Sequence, residues 1–132
     1  RKVNRRMRVL IVDDEESARL RLRQILASHA DLEIVAEAET GMQAMELCAQ
    51  FKPDLILLDI QMPGMDGYQC AREIRSREKS SERRVGIIAL TAHAQESDRH
   101  AALAAGMDAY LAKPYSQEQL ETAIINVLSA GR

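Results

Sequence analysis

Residues 8–16 read Arg-Val-Leu-Ile-Val-Asp-Asp-Glu-Glu, an aliphatic run that stops on four acids. Continuous apolar residues of this kind suit a strand buried on both faces, as in a parallel sheet covered by helices. The same grammar recurs along the chain. Leu55–Leu58 stops on Asp59, Val85–Leu90 on Thr91, and the weaker Ala109–Ala112 on Lys113. Leu32–Ala38 instead alternates with Glu33 and Glu37, and Ala109–Ala112 is short, so these two are the expected edge strands. Between the runs, Ala18, Leu22, Ile25 and Leu26 follow a 3.6-residue period, as do Leu120, Ala123, Ile124, Val127 and Leu128. Thr40-Gly41-Met42-Gln43 and Ser116-Gln117-Glu118-Gln119 read as helix starts of capping-box form. Five strand-then-helix units result. Right-handed crossovers then give an α/β, doubly wound, five-stranded parallel sheet. The edges are compatible with strand order 2-1-3-4-5, whose ligands bind beyond the carboxyl ends of the strands.

The chain has 132 residues, room for one domain, with 46% hydrophobic and 29% charged residues, which is globular usage. Its apolar runs, four residues at Leu55–Leu58 and Ile87–Leu90, fall far short of the roughly 20 needed to span a membrane. No signal-like start is present, so export has no support in the sequence. The formal net charge is −2, but Arg1, Lys2, Arg5, Arg6 and Arg8 crowd the N-terminal end; without them 13 basic residues face 20 acids, giving −7. An acidic body argues against nucleic-acid binding by this domain alone. Cys48 and Cys70, on expected helices without metal-ligand spacing, read as small apolar side chains in a reducing compartment. The first residue is Arg1 and not Met, which fits a segment of something longer.

The strand ends carry the chemistry. Asp13, Asp14, Asp59, Thr91 and Lys113 all fall where such folds bind ligands. Three carboxylates pressed together repel and raise at least one pKa unless a cation neutralises them. An all-oxygen donor set favours a hard ion such as Mg²⁺. Lys113 offers a point charge for an anion and Thr91 a hydroxyl. The acids of residues 13–16 exclude nucleotide and flavin sites, which hold phosphate on uncharged loops; neither G-x-G-x-x-G, a Walker loop, G-x-S-x-G nor H-E-x-x-H occurs.

Four fragments, V-D-D-E at Val12–Glu15, L-D-I-Q-M-P-G-M-D-G at Leu58–Gly67, A-L-T-A at Ala89–Ala92 and Y-L-A-K-P at Tyr110–Pro114, resemble the receiver domains of two-component response regulators. The resemblance spans roughly Met7 to Leu128. It implies a flavodoxin-like receiver fold over residues 7–130, with 1–6 as linker or tail. It implies Asp59 as phosphoacceptor from a histidine kinase or histidine phosphotransfer domain. Asp13, Asp14, Asp59 and the Gln61 carbonyl would hold Mg²⁺, with Mn²⁺ able to substitute. Thr91, Ala92 and Lys113 would bind the phosphoryl group, and Thr91 with Tyr110 would switch the face from the fourth helix through the fifth strand to the fifth helix. Gln61 and His93 would tune phosphoryl lifetime, and the Lys113–Pro114 bond would be cis. A cytoplasmic signalling protein follows from the resemblance, without membrane contact by this domain and not a turnover enzyme.

Gly86 and Ala109 depart from the family pattern, standing where Pro and an acid are common. The second half is similar to receivers of hybrid sensor histidine kinases and the first half to those of transcriptional regulators, with the hybrid kinase preferred and a covalently linked kinase or output domain expected. A mostly monomeric state is expected. Two other readings are a Mg²⁺-dependent phosphohydrolase turning over an aspartyl-phosphate, which would want an acid where Gln61 stands, and a receiver-like binding module that is never phosphorylated. Helix N-capping is a further role for Asp13 and Asp14, and Thr91 and Tyr110 could be ordinary strand residues. His29 and His100 are expected on helix surfaces. Residues 72–84, with six basic residues, three acids and Ser76, Ser80 and Ser81, read as a solvated helix end and loop, with kinase contact as the sharper alternative.

Overall fold

The computed structural model describes residues 6–62, 64–79, 81, 83–92 and 95–130. The elements run β1 (Met7–Val12), α1 (Glu16–Leu26), β2 (Leu32–Ala38), α2 (Gly41–Phe51), β3 (Leu55–Asp59), α3 (Gly67–Glu78), β4 (Gly86–Thr91), α4 (Glu96–Ala104), β5 (Ala109–Ala112) and α5 (Gln117–Ala130). All strand pairs are parallel, in the order β2-β1-β3-β4-β5. The expected edges, β2 and β5, are the half-buried strands, whereas every residue of β3 is buried. No helix among the described residues is long and apolar enough to cross a membrane.

The two-residue period of the strands divides the core into two layers. Leu10, Val12, Ile56, Leu58, Ile87 and Ala89 point to one face, where Ala44 and Met45 of α2, Cys70, Ala71 and Ile74 of α3 and Ala102 of α4 cover them. Val9, Ile11, Leu55, Leu57, Ile88 and Leu90 point to the other, under Leu22, Ile25 and Leu26 of α1 and Leu120, Ile124 and Val127 of α5. Each fully buried Leu, Ile or Val contributes about 1.5–3 kcal/mol of transfer free energy, so the three central strands anchor the domain. Cys70 is buried in the first layer, where burial pushes its thiol up to about 12, while Cys48 is only half-buried.

Helix starts follow local chemistry. At α5 the capping box of Ser116 and Gln119 is complete: Gln119 N–H donates to Ser116 Oγ at 3.0 Å and Ser116 N–H to Gln119 Oε1 at 2.8 Å. At α2 only half of the expected box forms. Gln43 N–H donates to Thr40 Oγ1 at 3.1 Å, but Gln43 Oε1 accepts from Glu39 N–H, one residue before the cap. A third box, Asp66 with Gln69, starts α3. His29 does not lie on a helix as expected. It follows the end of α1, and its Nε2 lies 2.7 Å from Glu121 Oε2 of α5, whereas His100 is exposed on α4.

Two glycines are fixed by space. A Cβ on Gly67 would lie 2.4 Å from the Ile60 Cα, so only glycine lets α3 start against the loop that follows β3. At Gly86 a Cβ would lie 2.6 Å from Val127 Cγ1, and the N–H donates to Asp54 O at 3.0 Å, a bond that a proline could not make. Because the Gly67 clash is with backbone, Gly67→Ala is expected to lower stability by about 1–3 kcal/mol in urea denaturation, outweighing alanine's better helix propensity. Unchanged stability would show that the start of α3 yields freely.

Candidate functional site

Parallel register brings the strand ends to one rim. Val12 pairs with Leu58, Asp59 with Leu90 and Thr91 with Ala112. Pairing continues one step past the strands, with Asp13 N–H donating to Ala38 O at 3.0 Å and Lys113 N–H to Thr91 O at 2.7 Å. Asp13, Asp59 and Lys113 thus meet from three different strands. The Lys113 Nζ donates to Asp13 Oδ2 at 3.1 Å and stands 3.9 Å from Asp59 Oδ1, an ion pair without a hydrogen bond. Asp13 Oδ1 accepts from Glu15 N–H at 3.0 Å, and Asp59 Oδ1 from Gln61 N–H at 3.1 Å. Asp13 caps no helix: α1 has Glu15 at its N-cap, with no side-chain cap bond.

One carboxylate oxygen from each of Asp13, Asp14 and Asp59 lies within 4.8 Å of the others; Asp13 and Asp59 are buried and Asp14 is exposed. Three negative charges against the single ammonium of Lys113 leave about two uncompensated, and the strain shows on Asp59. Burial pushes its carboxyl up to about 6, with the neighbouring Asp13 and Asp14 charges adding to the rise and the Gln61 N–H and Lys113 opposing it. The set fits a hard divalent cation on its own chemistry: oxygen donors only, two of them held by neighbours, one side open to water, and a charge deficit of matching size.

The remaining site residues sort by sheet face. Thr91 is buried, and its parity places it on the face of Ile87 and Ala89. Tyr110, which pairs with Ala89, is half-buried on that same face, a diagonal neighbour of Thr91 across the β4–β5 pair. Burial, with the Asp98 charge adding, raises the Tyr110 phenol above its ordinary value. Ala92 is exposed at the rim, and its N–H donates to the Gln61 side-chain oxygen at 3.1 Å. His93 lies outside the described residues. The Lys113–Pro114 peptide is cis.

Two arginines that the sequence reading passed over grip the rim from behind. Arg19 of α1 is buried, and its Nη1 donates to the Asp13 carbonyl at 2.7 Å. Arg21 Nη2 donates to the Tyr115 carbonyl at 3.0 Å while its guanidinium stands 5.5 Å from the centre of the Tyr115 ring, holding the turn that carries Lys113. A signal for Arg19 exists: it precedes Leu22 by three residues and Leu26 by seven, which puts it on the apolar face of α1.

The response regulator receiver domain family matches residues 9–125. The chain is 42% identical over 123 residues to the sensor protein GacS of Pseudomonas syringae pv. syringae, covering 92% of this chain but 13% of that protein. It is 38% identical over 122 residues to the chemotaxis protein CheY of Halobacterium salinarum, covering 92% and 97%. Among solved structures, the signal receiver domain of NarL from Mycobacterium tuberculosis superposes with a TM-score of 0.88 at 30% identity, covering 97% of this chain and 99% of that one. The receiver domain of Ssk1, co-crystallised with the histidine phosphotransfer protein Ypd1 of Saccharomyces cerevisiae, gives 0.84 at 31%, covering 97% and 92%. A CheX–CheY–BeF3–Mg complex from Borrelia burgdorferi gives 0.84 at 28%, covering 92% and 88%.

The raised Asp59 pKa has a sign that can be measured. A carboxyl that titrates near 6 when folded and near 3.8 when unfolded makes folding less favourable above about pH 6, a penalty relieved as pH falls toward 4. In the absence of divalent cations, Asp59→Asn is therefore expected to be more stable than the parent at pH 7, on the order of 1–2 kcal/mol, with the advantage shrinking to nothing near pH 4. Chemical denaturation in a chelator across that range checks it; a variant less stable at pH 7 would mean that burial and the neighbouring acids do not hold the folded Asp59 carboxyl above its unfolded value.

Proposed function

The chain belongs to the response regulator receiver domain family of two-component signalling, and from that premise we propose that it is a phosphoacceptor switch working through Asp59. The observation that carries this reading is the meeting of Asp13, Asp14 and Asp59 with Lys113 at one rim. Residues 7–130 form the receiver unit, and 1–6 enter it as linker or tail. The Arg6 guanidinium already donates to Leu32 O at 2.8 Å.

Asp13, Asp14, Asp59 and the Gln61 carbonyl would hold Mg²⁺, and Mn²⁺ would be able to take its place. When bound, the cation supplies neutralising charge for the carboxylates and for an incoming phosphoryl group. Asp59 in its carboxylate form attacks phosphorus in line, and the bond from phosphorus to the donor leaving group breaks. Lys113 offers a positive charge beside Asp59, with its ammonium already oriented by Asp13. Thr91 provides its hydroxyl and Ala92 its N–H to phosphoryl oxygens. For Ala92 this requires the Gln61 amide to release that N–H, which gives Gln61 a direct hand in timing. His93, two residues after Thr91, shares the tuning of phosphoryl lifetime. An amide at position 61 supplies no acid, which weighs against the phosphohydrolase reading.

The output face is α4, β5 and α5. Thr91 and Tyr110 share one sheet surface, and a groove of about 1220 Å³ beside Tyr110 is lined by Leu103, Leu111 and Thr122 among others. Drawing Thr91 toward the phosphoryl group opens space into which Tyr110 turns, and the two packings of the face exchange population. The donor is a histidine kinase or a histidine phosphotransfer domain, a reading supported by the Ssk1 receiver's partner. We read the parent as a hybrid kinase working in the cytoplasm; the likeness to a stretch making up 13% of the sensor protein GacS supports a receiver carried within a longer sensor protein.

Intact-mass analysis after incubation with acetyl phosphate tests the chemistry. One phosphoryl group is expected, dependent on both Mg²⁺ and Asp59 and absent from Asp59→Asn. No adduct on a folded chain, with beryllofluoride also failing to bind, would favour the non-phosphorylated module. Multiple turnover of a phosphomonoester would favour the hydrolase.

A further inference from the structure

Asp13 is held at every polar atom. Its N–H donates to Ala38 O, its two carboxylate oxygens accept from Glu15 N–H and the Lys113 ammonium, and its carbonyl accepts from Arg19 Nη1 at 2.7 Å in a buried bond. The first three contacts come from backbone or from the site itself. The fourth is different: it comes from a side chain only 8% exposed, carried on α1.

Arg19 is in turn fixed by carboxylates. Its Nε donates to Glu37 Oε1 of β2 at 3.1 Å, its Nη2 pairs with Glu16, and Glu39 lies 3.6 Å away. Arg23 closes the group, 2.5 Å from Glu37 and 2.9 Å from Glu16. Two arginines against these three glutamates leave no surplus positive charge to help the acids at the rim. Electrostatic relief is thus the wrong account of Arg19. What remains is geometry: a planar fork whose Nε and Nη1 point to two fixed acceptors, the end of β2 and the Asp13 carbonyl.

We propose that Arg19 is a positioning residue for the cation site, setting the orientation of the Asp13–Asp14 peptide and with it the angle at which Asp14 presents its carboxylate. This rests on the reading of the site as a cation-dependent phosphoacceptor. Asp14 is exposed, so the peptide before it governs where its side chain starts. Freed from Arg19, that turn samples other orientations, and cation binding must then select one of them. The effect falls on affinity for the cation and not on the chemical step.

Mg²⁺ titration by calorimetry tests this on the parent, Arg19→Met, Arg19→Lys and Glu37→Gln, with folding of each checked by circular dichroism. Arg19→Met is expected to bind Mg²⁺ about tenfold more weakly, as for other groups that orient a ligand from behind. Arg19→Lys should fall between it and the parent, because an ammonium reaches one acceptor but lacks the fork. Glu37→Gln, which keeps an acceptor for Nε, should stay within about twofold of the parent. In acetyl phosphate reactions, Arg19→Met should need more Mg²⁺ for half-maximal rate while reaching a similar ceiling. Parent-like affinity in a folded Arg19→Met, or an equal loss in Glu37→Gln, would overturn the proposal and leave Arg19 as part of a stabilising charge network. If Arg19→Met does not fold, parent-like affinity in Arg19→Lys overturns it instead. Failure of the parent itself to bind Mg²⁺ would overturn the reading of the site and this proposal with it.

Discussion

Like charges brought together at the carboxyl ends of β1 and β3 are the constraint on which the rest of the structure turns. Asp13 and Asp59 are buried beside each other with Asp14 at the mouth, and one lysine faces them. Left to themselves, these groups would spread into water. They stay because Asp13 and Asp59 are flanked by buried residues: Val12 before Asp13, and Leu58 and Ile60 around Asp59. Burial of the strands is worth far more than the repulsion it forces, so the domain can carry a strained acidic site.

The division of the core into two layers makes this possible. Because alternate residues of three central strands are covered by helices on opposite sides, neither face can slip by one position without turning apolar side chains outward. Register is therefore rigid, and the strand ends inherit that rigidity. The loops past them are then tied down one at a time: Lys113 by its N–H on Thr91, its turn by Arg21, Asp13 by Arg19, and the loop after Asp59 by the close approach of Gly67 to Ile60. Thr91 and Tyr110 share one of the two faces, and Tyr110 packs in the same layer as Ala102 of α4.

The sequence declared those parts of the design that depend on one-dimensional pattern. Apolar runs ending in Asp13, Asp59, Thr91 and Lys113 marked the strands and their functional ends, while Glu33 and Glu37 marked β2 as an edge. Features resting on three-dimensional partners stayed hidden. In Arg19-Leu20-Arg21-Leu22-Arg23 periodicity marks the face of Arg19 but names no partner for any of the arginines: one is buried against Asp13, one covers Tyr115 and one pairs at the surface. Asp66 and Gln69 form a complete capping box that a motif reading of that segment passed over. His29 was placed one turn too far inside a helix, because α1 gives way to a turn at Ala27 and nothing in the residue types forces that end.

The central claim is that the acids at the rim are arranged for a divalent cation. Unfolding free energy measured against Mg²⁺ concentration, for the parent and for Asp13→Asn, tests it most directly. A ligand bound only by the folded chain stabilises it in proportion to the logarithm of its concentration above the dissociation constant. The account requires a rise of one-ion slope in the parent and a much weaker rise in the variant. A parent whose stability ignores Mg²⁺, or a variant that gains as much, would contradict it.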